Sequence, residues 1–189
     1  MMWATHEPFL QSKAQLLVLP MSADGNIFHP VAARCKSQFL DNYDEYHKKA
    51  VAGELNVGDV WIHTLTKQLT GLGVQTNRAE YIANIIAQKS PKHPISVRMF
   101  ERCLVGLKPQ IYNLMRYKGL RRVAILGSAL LIGDDNPNPN SQITWLTPEH
   151  ILQICHQVLG DVPKLTVEVH FGKDTPLPIL QNAQKTLEN

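Results

Sequence analysis

Few side chains in this chain of 189 residues have the spacing that chemistry requires. The three cysteines, Cys35, Cys103 and Cys155, lie far apart with no Cys-x-x-Cys pair, and the eight histidines are scattered. Neither set has the spacing of a zinc site, and an odd number of thiols in helical surroundings fits buried free cysteines in a reducing compartment. What remains are single candidates in polar loops. Lys89 ends an apolar run, and a lysine there becomes a nucleophile only if desolvation or a nearby cation lowers its pKa. It also reads as an ordinary surface lysine. Asp134 and Asp135 stand before Asn-Pro-Asn-Pro and read as a turn acid pair. His29 opens a helical pattern, either as a donor or acid near a ligand or as a helix-start residue without a role.

The elements that must position these groups follow from periodicity. Residues 15–21, an apolar run ending in the turn cluster 22–26, suit a strand covered on both faces. From Val31 to Ala52, Ala33, Lys36, Phe39, Tyr43, Tyr46 and Ala50 recur at helical steps, in one helix and a second short helical run. Gly53 stops the pattern and Gly58 makes the next turn. Strands are expected over 59–65 and 80–88. An amphipathic helix is expected over 95–118, capped by Gly119 and either bent or split at Pro109. A third core strand, 122–128, has a glycine at its exit. Thr147-Pro148-Glu149 opens a helix that Gly160 ends. Residues 165–171 alternate apolar and polar, which predicts an edge strand with one wetter face. The prolines after Asp174 precede a possible short helix. Tyr43, Tyr46, Trp61 and Trp145 read as packing residues.

Strands alternating with helices predict a three-layer α/β/α domain with a central mixed, mostly parallel sheet, spanning residues 1–173, with 174–189 as a tail. Ligands of such sheets bind beyond the carboxyl ends of the strands. That rule selects the loops 22–30, 64–78, 88–94 and 127–140. The hydrophobic fraction of 44%, the charged fraction of 19% and the formal charge of +3 are ordinary for a soluble globular protein. No Lys/Arg stripe argues for a nucleic-acid binder. No apolar stretch approaches the roughly 20 residues a spanning helix needs, and no signal peptide is visible. The expected location is the cytoplasm.

Three groups of residues carry a family resemblance. The first is Ala33, Lys36 and Phe39, followed by Tyr46, Ala50 and Gly53-Glu54-Leu55. The second is the run from Tyr81 to Lys89 with Ser-Pro-Lys-His-Pro after it. The third is the stretch from Ile125 to Asp135, with Gly127, Ser128 and Gly133. Together they resemble macro domains over about Glu7 to Phe171, most closely the branch of DNA ADP-ribosyl glycohydrolase antitoxins and terminal ADP-ribose glycohydrolases. The resemblance implies that ADP-ribose binds across the strand ends. Glu7 would read the adenine amino group, and Ser22, Asn26 and His29 would lie along the first loop. Gly127, Ser128 and Gly133 would leave amides open to the diphosphate.

The resemblance further implies an N-glycosidase reaction on ADP-ribosylated DNA or protein. Lys89 would attack the anomeric carbon or stabilise the opened sugar, and Asp134 would serve as the carboxylate. Simple spacing puts the family's lysine at Gln88 or Lys89, and Gln88 cannot do that work. The family's Gly-x-Gly is replaced here by Phe28-His29-Pro30. Proline has no N–H for a phosphate, and phenylalanine restricts backbone approach. Three functions are therefore open: an ADP-ribosyl glycohydrolase, a module that binds ADP-ribose or a related nucleotide without turnover, and a ligand-free scaffold acting through a protein partner. No metal or other cofactor is expected, and no membrane partner.

Overall fold

The computed structural model describes residues 1–66, 79–131 and 143–188. Its elements in chain order are β1 (Met2–Thr5), β2 (Leu16–Ser22), α1 (Pro30–Gln38), α2 (Leu40–Val51), β3 (Val60–Thr64), β4 (Tyr81–Gln88), α3 (Val97–Lys118), β5 (Arg122–Leu126), α4 (Gly127–Leu130), α5 (Pro148–Leu159), β6 (Thr166–His170) and α6 (Leu177–Glu188). The six strands form one sheet in the order β1-β6-β5-β2-β4-β3. Every neighbouring pair is parallel except β3 and β4.

The continuous apolar runs are explained by helices on both faces. Leu16 and Val18 of β2 and Ala83 and Ile85 of β4 point into a core shared with α3 and α5. Leu17, Leu19, Ile82 and Ile86 point into a second core shared with α1 and α2. All eight are at least 98% buried. The helical stretch from residue 31 to 52 breaks in two at Phe39 (φ −128°, ψ 65°), which is itself buried, so one apolar stripe serves both helices. Gly53 and Gly58 have the positive φ that their turns require. Ser96 caps α3 by accepting from the Met99 amide, Gly119 closes it in the left-handed region, and the helix continues through Pro109. Thr147 caps α5 by accepting from His150 N–H.

The expected edge strand is an interior one. β6 pairs with β5 on one side and with β1 on the other. Its polar alternates are buried and matched to each other rather than wetted. Glu168 accepts from Ser12 Oγ at 2.8 Å and faces Arg122 Nε at 3.0 Å and His170 Nε2 at 3.3 Å. Burial would raise the Glu168 pKa, but the bonds from His170 and Ser12 and the Arg122 charge hold it below the usual range. The true edges are β3 and the short β1, which has no strong sequence signal. Residues 174–188 include α6, which packs against α5 and β1 with Leu180 in the core.

The three cysteines are buried free thiols. Burial pushes the pKa up in each, to about 12 for Cys35 and Cys103, so they stay protonated and unreactive. Among the described residues no helix is long and apolar enough to cross a membrane.

Candidate functional site

The site is built where β2, β4 and β5 end. The chain leaves β2 at Ser22 and turns at once, and that turn is fastened to the end of β4. Ala23 N–H donates to the Gln88 carbonyl (2.9 Å) and Asp24 N–H to the Lys89 carbonyl (3.1 Å). Asp24 then organises the loop. Its carboxylate accepts from Ser22 Oγ (2.7 Å), from the Asn26 amide (3.0 Å) and from Asn26 Nδ2 (2.9 Å). Burial alone would raise its pKa, but these bonds, with one from Ser90, lower it. Gly25 sits at φ 82°, where a Cβ would also meet Ala50 Cβ at 3.1 Å. From behind, the Tyr46 hydroxyl donates to the Ser22 carbonyl at 2.6 Å, and burial raises its pKa to about 12. The buried pair Asn42–Asn84 exchanges two amide bonds (2.7 and 3.2 Å) and locks α2 onto β4.

His29 ends the loop as the cap of α1. Val31 N–H donates to its Nδ1 at 3.2 Å, so the neutral ring carries its proton on Nε2. Burial lowers its pKa, partly offset by the Asp174 charge. Pro30 has no N–H and the Val31 amide is taken, so the first turn of α1 offers less to an anion than an open glycine loop would.

Between this loop and the strand ends lies a small cleft, whose roughly 300 Å³ of empty space includes open solvent. Its lining includes Ser22, Asn26, Phe28, His29 and Ala32 together with Gln88, Pro91 and Ala129. Phe28 is part of the lining and is 59% exposed. The β2–β4 register shifts at this point: Met21 pairs with Ile86, and Ser22 with Gln88. Such a bulge re-aims the following side chain. Gln88 lines the cleft, and its Oε1 is buried without a hydrogen-bond partner.

The structure thus brings Ser22, Asn26 and His29 together. Gly127 and Ser128 open α4, whose Ala129 reaches the cleft. Gly127 has a packing reason to lack a side chain: a Cβ there would lie 2.9 Å from Val169 Cγ1 and 3.1 Å from the His170 carbonyl. Lys89 is exposed in the turn after β4, outside the cleft lining. Glu7 is exposed toward the β1 edge, also outside the lining; its carbonyl accepts from His170 Nδ1 at 2.9 Å. Gly133 and Asp134 lie outside the described residues. The lining residues that motif reading did not select include Pro91 and Gln88, which it set aside for Lys89. The strand pleat, which puts Gln88 on the face of Asn84 and Ile86, is the signal that points to Gln88.

No sequence-family model matches the chain, and no curated protein does. Solved structures match along nearly its whole length. The macrodomain of Thermus aquaticus DarG is 23% identical with a TM-score of 0.67, covering 90% of this chain and 97% of that one. The macrodomain of Mycobacterium tuberculosis DarG is 17% identical with a TM-score of 0.69, covering 92% and 99%. Thermosipho africanus DarTG in complex with ADP-ribose is 16% identical with a TM-score of 0.69. That match covers 94% of this chain but 43% of the longer protein. The chain has the macrodomain fold.

Proposed function

We propose that this chain binds ADP-ribose, or an ADP-ribosyl group carried by another molecule, in the cleft beside Gln88, without lysine-based turnover. The observation that carries the reading is the position of the cleft. It lies beyond the carboxyl ends of parallel strands, where open α/β sheets take their ligands. A neighbour in fold, Thermosipho DarTG, is a complex with ADP-ribose. Against turnover stands the cleft-lining side chain at the end of β4, a carboxamide. It has no basic lone pair with which to attack an anomeric carbon. Calorimetric titration with ADP-ribose tests the reading. Saturable binding at one site per chain is expected, and no heat at millimolar ligand would overturn it.

A second reading keeps the ADP-ribosyl glycohydrolase. The turn after β4 carries two exposed lysines, Lys89 and Lys92, on either side of Pro91, which lines the cleft. A substrate larger than ADP-ribose, on DNA or protein, would extend past the rim toward them, with Lys89 as the amine and Asp134 as the carboxylate. Release of ADP-ribose from a modified oligonucleotide or protein, lost in Lys89→Ala, would establish this reading. No release from either substrate would remove it.

A further inference from the structure

The positive charge of this chain is gathered on one helix. α3 holds five of the 19 Lys and Arg residues (Arg98, Arg102, Lys108, Arg116 and Lys118) and one of the 16 Asp and Glu residues, Glu101. Its net charge is +4 in a chain of formal charge +3, so the remaining residues together sum to −1. Lys108 is neutralised by Asp161 at 2.8 Å. Among the described residues, Arg98, Arg102, Arg116 and Lys118 make no ion pair, and all four are exposed.

Three of these cations belong to a single exposed stripe. Arg98, Arg102, Val105, Pro109, Tyr112 and Arg116 follow one another at alternating steps of four and three, the repeat of a seam along which two helices lie side by side. The opposite face of α3 carries the buried residues, with Phe100, Leu104, Leu107 and Ile111 in the first core. A helix that only covers a core has a polar outer face. Here the middle of the outer face is apolar, with Val105 55% and Tyr112 41% exposed, and its ends are cationic. The same middle holds Gly106 and Pro109, the two least favoured residue types in a helix. Packing does not demand the glycine, since a Cβ there would meet only Val60 Cγ2 at an ordinary 3.8 Å. Pro109 has no N–H for the Val105 carbonyl. Both residues let another chain approach the backbone closely.

The occupant follows from charge and length. A second copy of this chain would set two faces of like charge against each other. A nucleic-acid strand takes cations along its whole track, and between Arg102 and Arg116 the one cation is Lys108, which Asp161 holds. A protein segment that is apolar in its middle and acidic toward its ends matches the stripe, and arginine and tyrosine are the residues on which such interfaces depend. Arg98 to Arg116 spans about 27 Å, or about five turns of helix.

We infer that the outer face of α3 docks an acidic amphipathic helix of a partner protein, with the apolar side of that helix on Val105, Pro109 and Tyr112 and its carboxylates on Arg98, Arg102 and Arg116. α3 covers the sheet face opposite the one that α1 and α2 cover, so the inference does not rest on the ADP-ribose reading.

The test is fluorescence anisotropy with the full chain and a labelled synthetic helical peptide of about 20 residues, with leucines along one seam and glutamates toward both ends. Saturable binding of one peptide per chain is expected, weakening as salt is added. Arg102→Glu with Arg116→Glu should weaken it about tenfold or more. Val105→Ser with Tyr112→Ser, which leaves every charge in place, should weaken it by about as much. All four positions are exposed, so the melting temperature should not fall in either variant; should the charge reversal unfold the chain, Arg102→Gln with Arg116→Gln carries the same expectation. Absence of binding, or equal binding of a peptide with lysine in place of glutamate, would overturn the inference. So would equal binding of a peptide with serine in place of leucine, which would reduce the surface to charge alone. Tighter binding of an oligothymidylate of about 15 nucleotides would overturn it in favour of a nucleic-acid surface.

Discussion

Glu168 and Gln88 are both polar residues on interior strands, each set on the sheet face that carries the second core, and their surroundings are opposite. Glu168 has a serine, an arginine and a histidine around its carboxylate. Gln88 has an acceptor atom with nothing bonded to it. The first arrangement is architecture: it ties the segment after β1 to β6 and, through His170, holds the Glu7 carbonyl. The second belongs to a side chain that lines the cleft. A satisfied polar cluster marks where the fold is held together.

The comparison can be broken by mutation. Glu168→Ala should have the largest effect on stability, about 3 kcal/mol, because it strands buried donors on Ser12 and His170. Urea denaturation measures this, and a loss below about 1 kcal/mol would deny the cluster its structural role. Gly127→Ala should cost about 1–3 kcal/mol, since its methyl group would press on Val169 and the His170 carbonyl. If Gly127→Ala instead left stability unchanged, the packing reason for that glycine would fail.

Smaller effects separate the two histidines that flank these regions. His63 on β3 lies 2.6 Å from Glu45 and 3.2 Å from Asp41. Burial alone would lower its pKa, but the two carboxylates raise it. Its contribution is therefore complete below about pH 6.5 and is lost as pH rises through the raised folded value. His29 is shifted the other way, chiefly by burial. Its contribution is complete above about pH 6.5 and is lost as pH falls. His63→Gln should accordingly lower the melting temperature more in acid than in alkali, and His29→Asn more in alkali than in acid. The same pH trend in both variants would contradict these environments. Gln88→Met should not destabilise the chain, since no hydrogen bond of the fold ends on Oε1. A large loss there would mean that Gln88 belongs to the architecture after all.

Much of the framework was legible in the chain. The runs 15–21 and 80–88 announced strands covered on both sides, and Thr147-Pro148 and Gly119 announced helix ends through local hydrogen-bond chemistry. The strand over 165–171 was read as an edge because alternation reports where polar side chains occur and not whether they face water. Ser12, more than 150 residues away, is what satisfies Glu168. β1 escaped because four half-buried residues carry too little pattern. At the strand ends that topology selects, Ser22, Asn26 and His29 share a cleft. Gln88 rather than Lys89 lines the cleft, and the strand pleat, which sets Gln88 on the face of Asn84 and Ile86, is the signal for it.

The central claim, that the cleft at the end of β4 is a ligand site, is tested most directly by amide and side-chain NMR spectra recorded during titration with ADP-ribose. The account predicts shifts concentrated in residues 22–32, 88–92 and 127–131, with the Gln88 side-chain amide among the largest and the Ser12, Glu168 and His170 signals still. Shifts that spare Gln88 and its loop, or that fall on the β6 cluster instead, would contradict it.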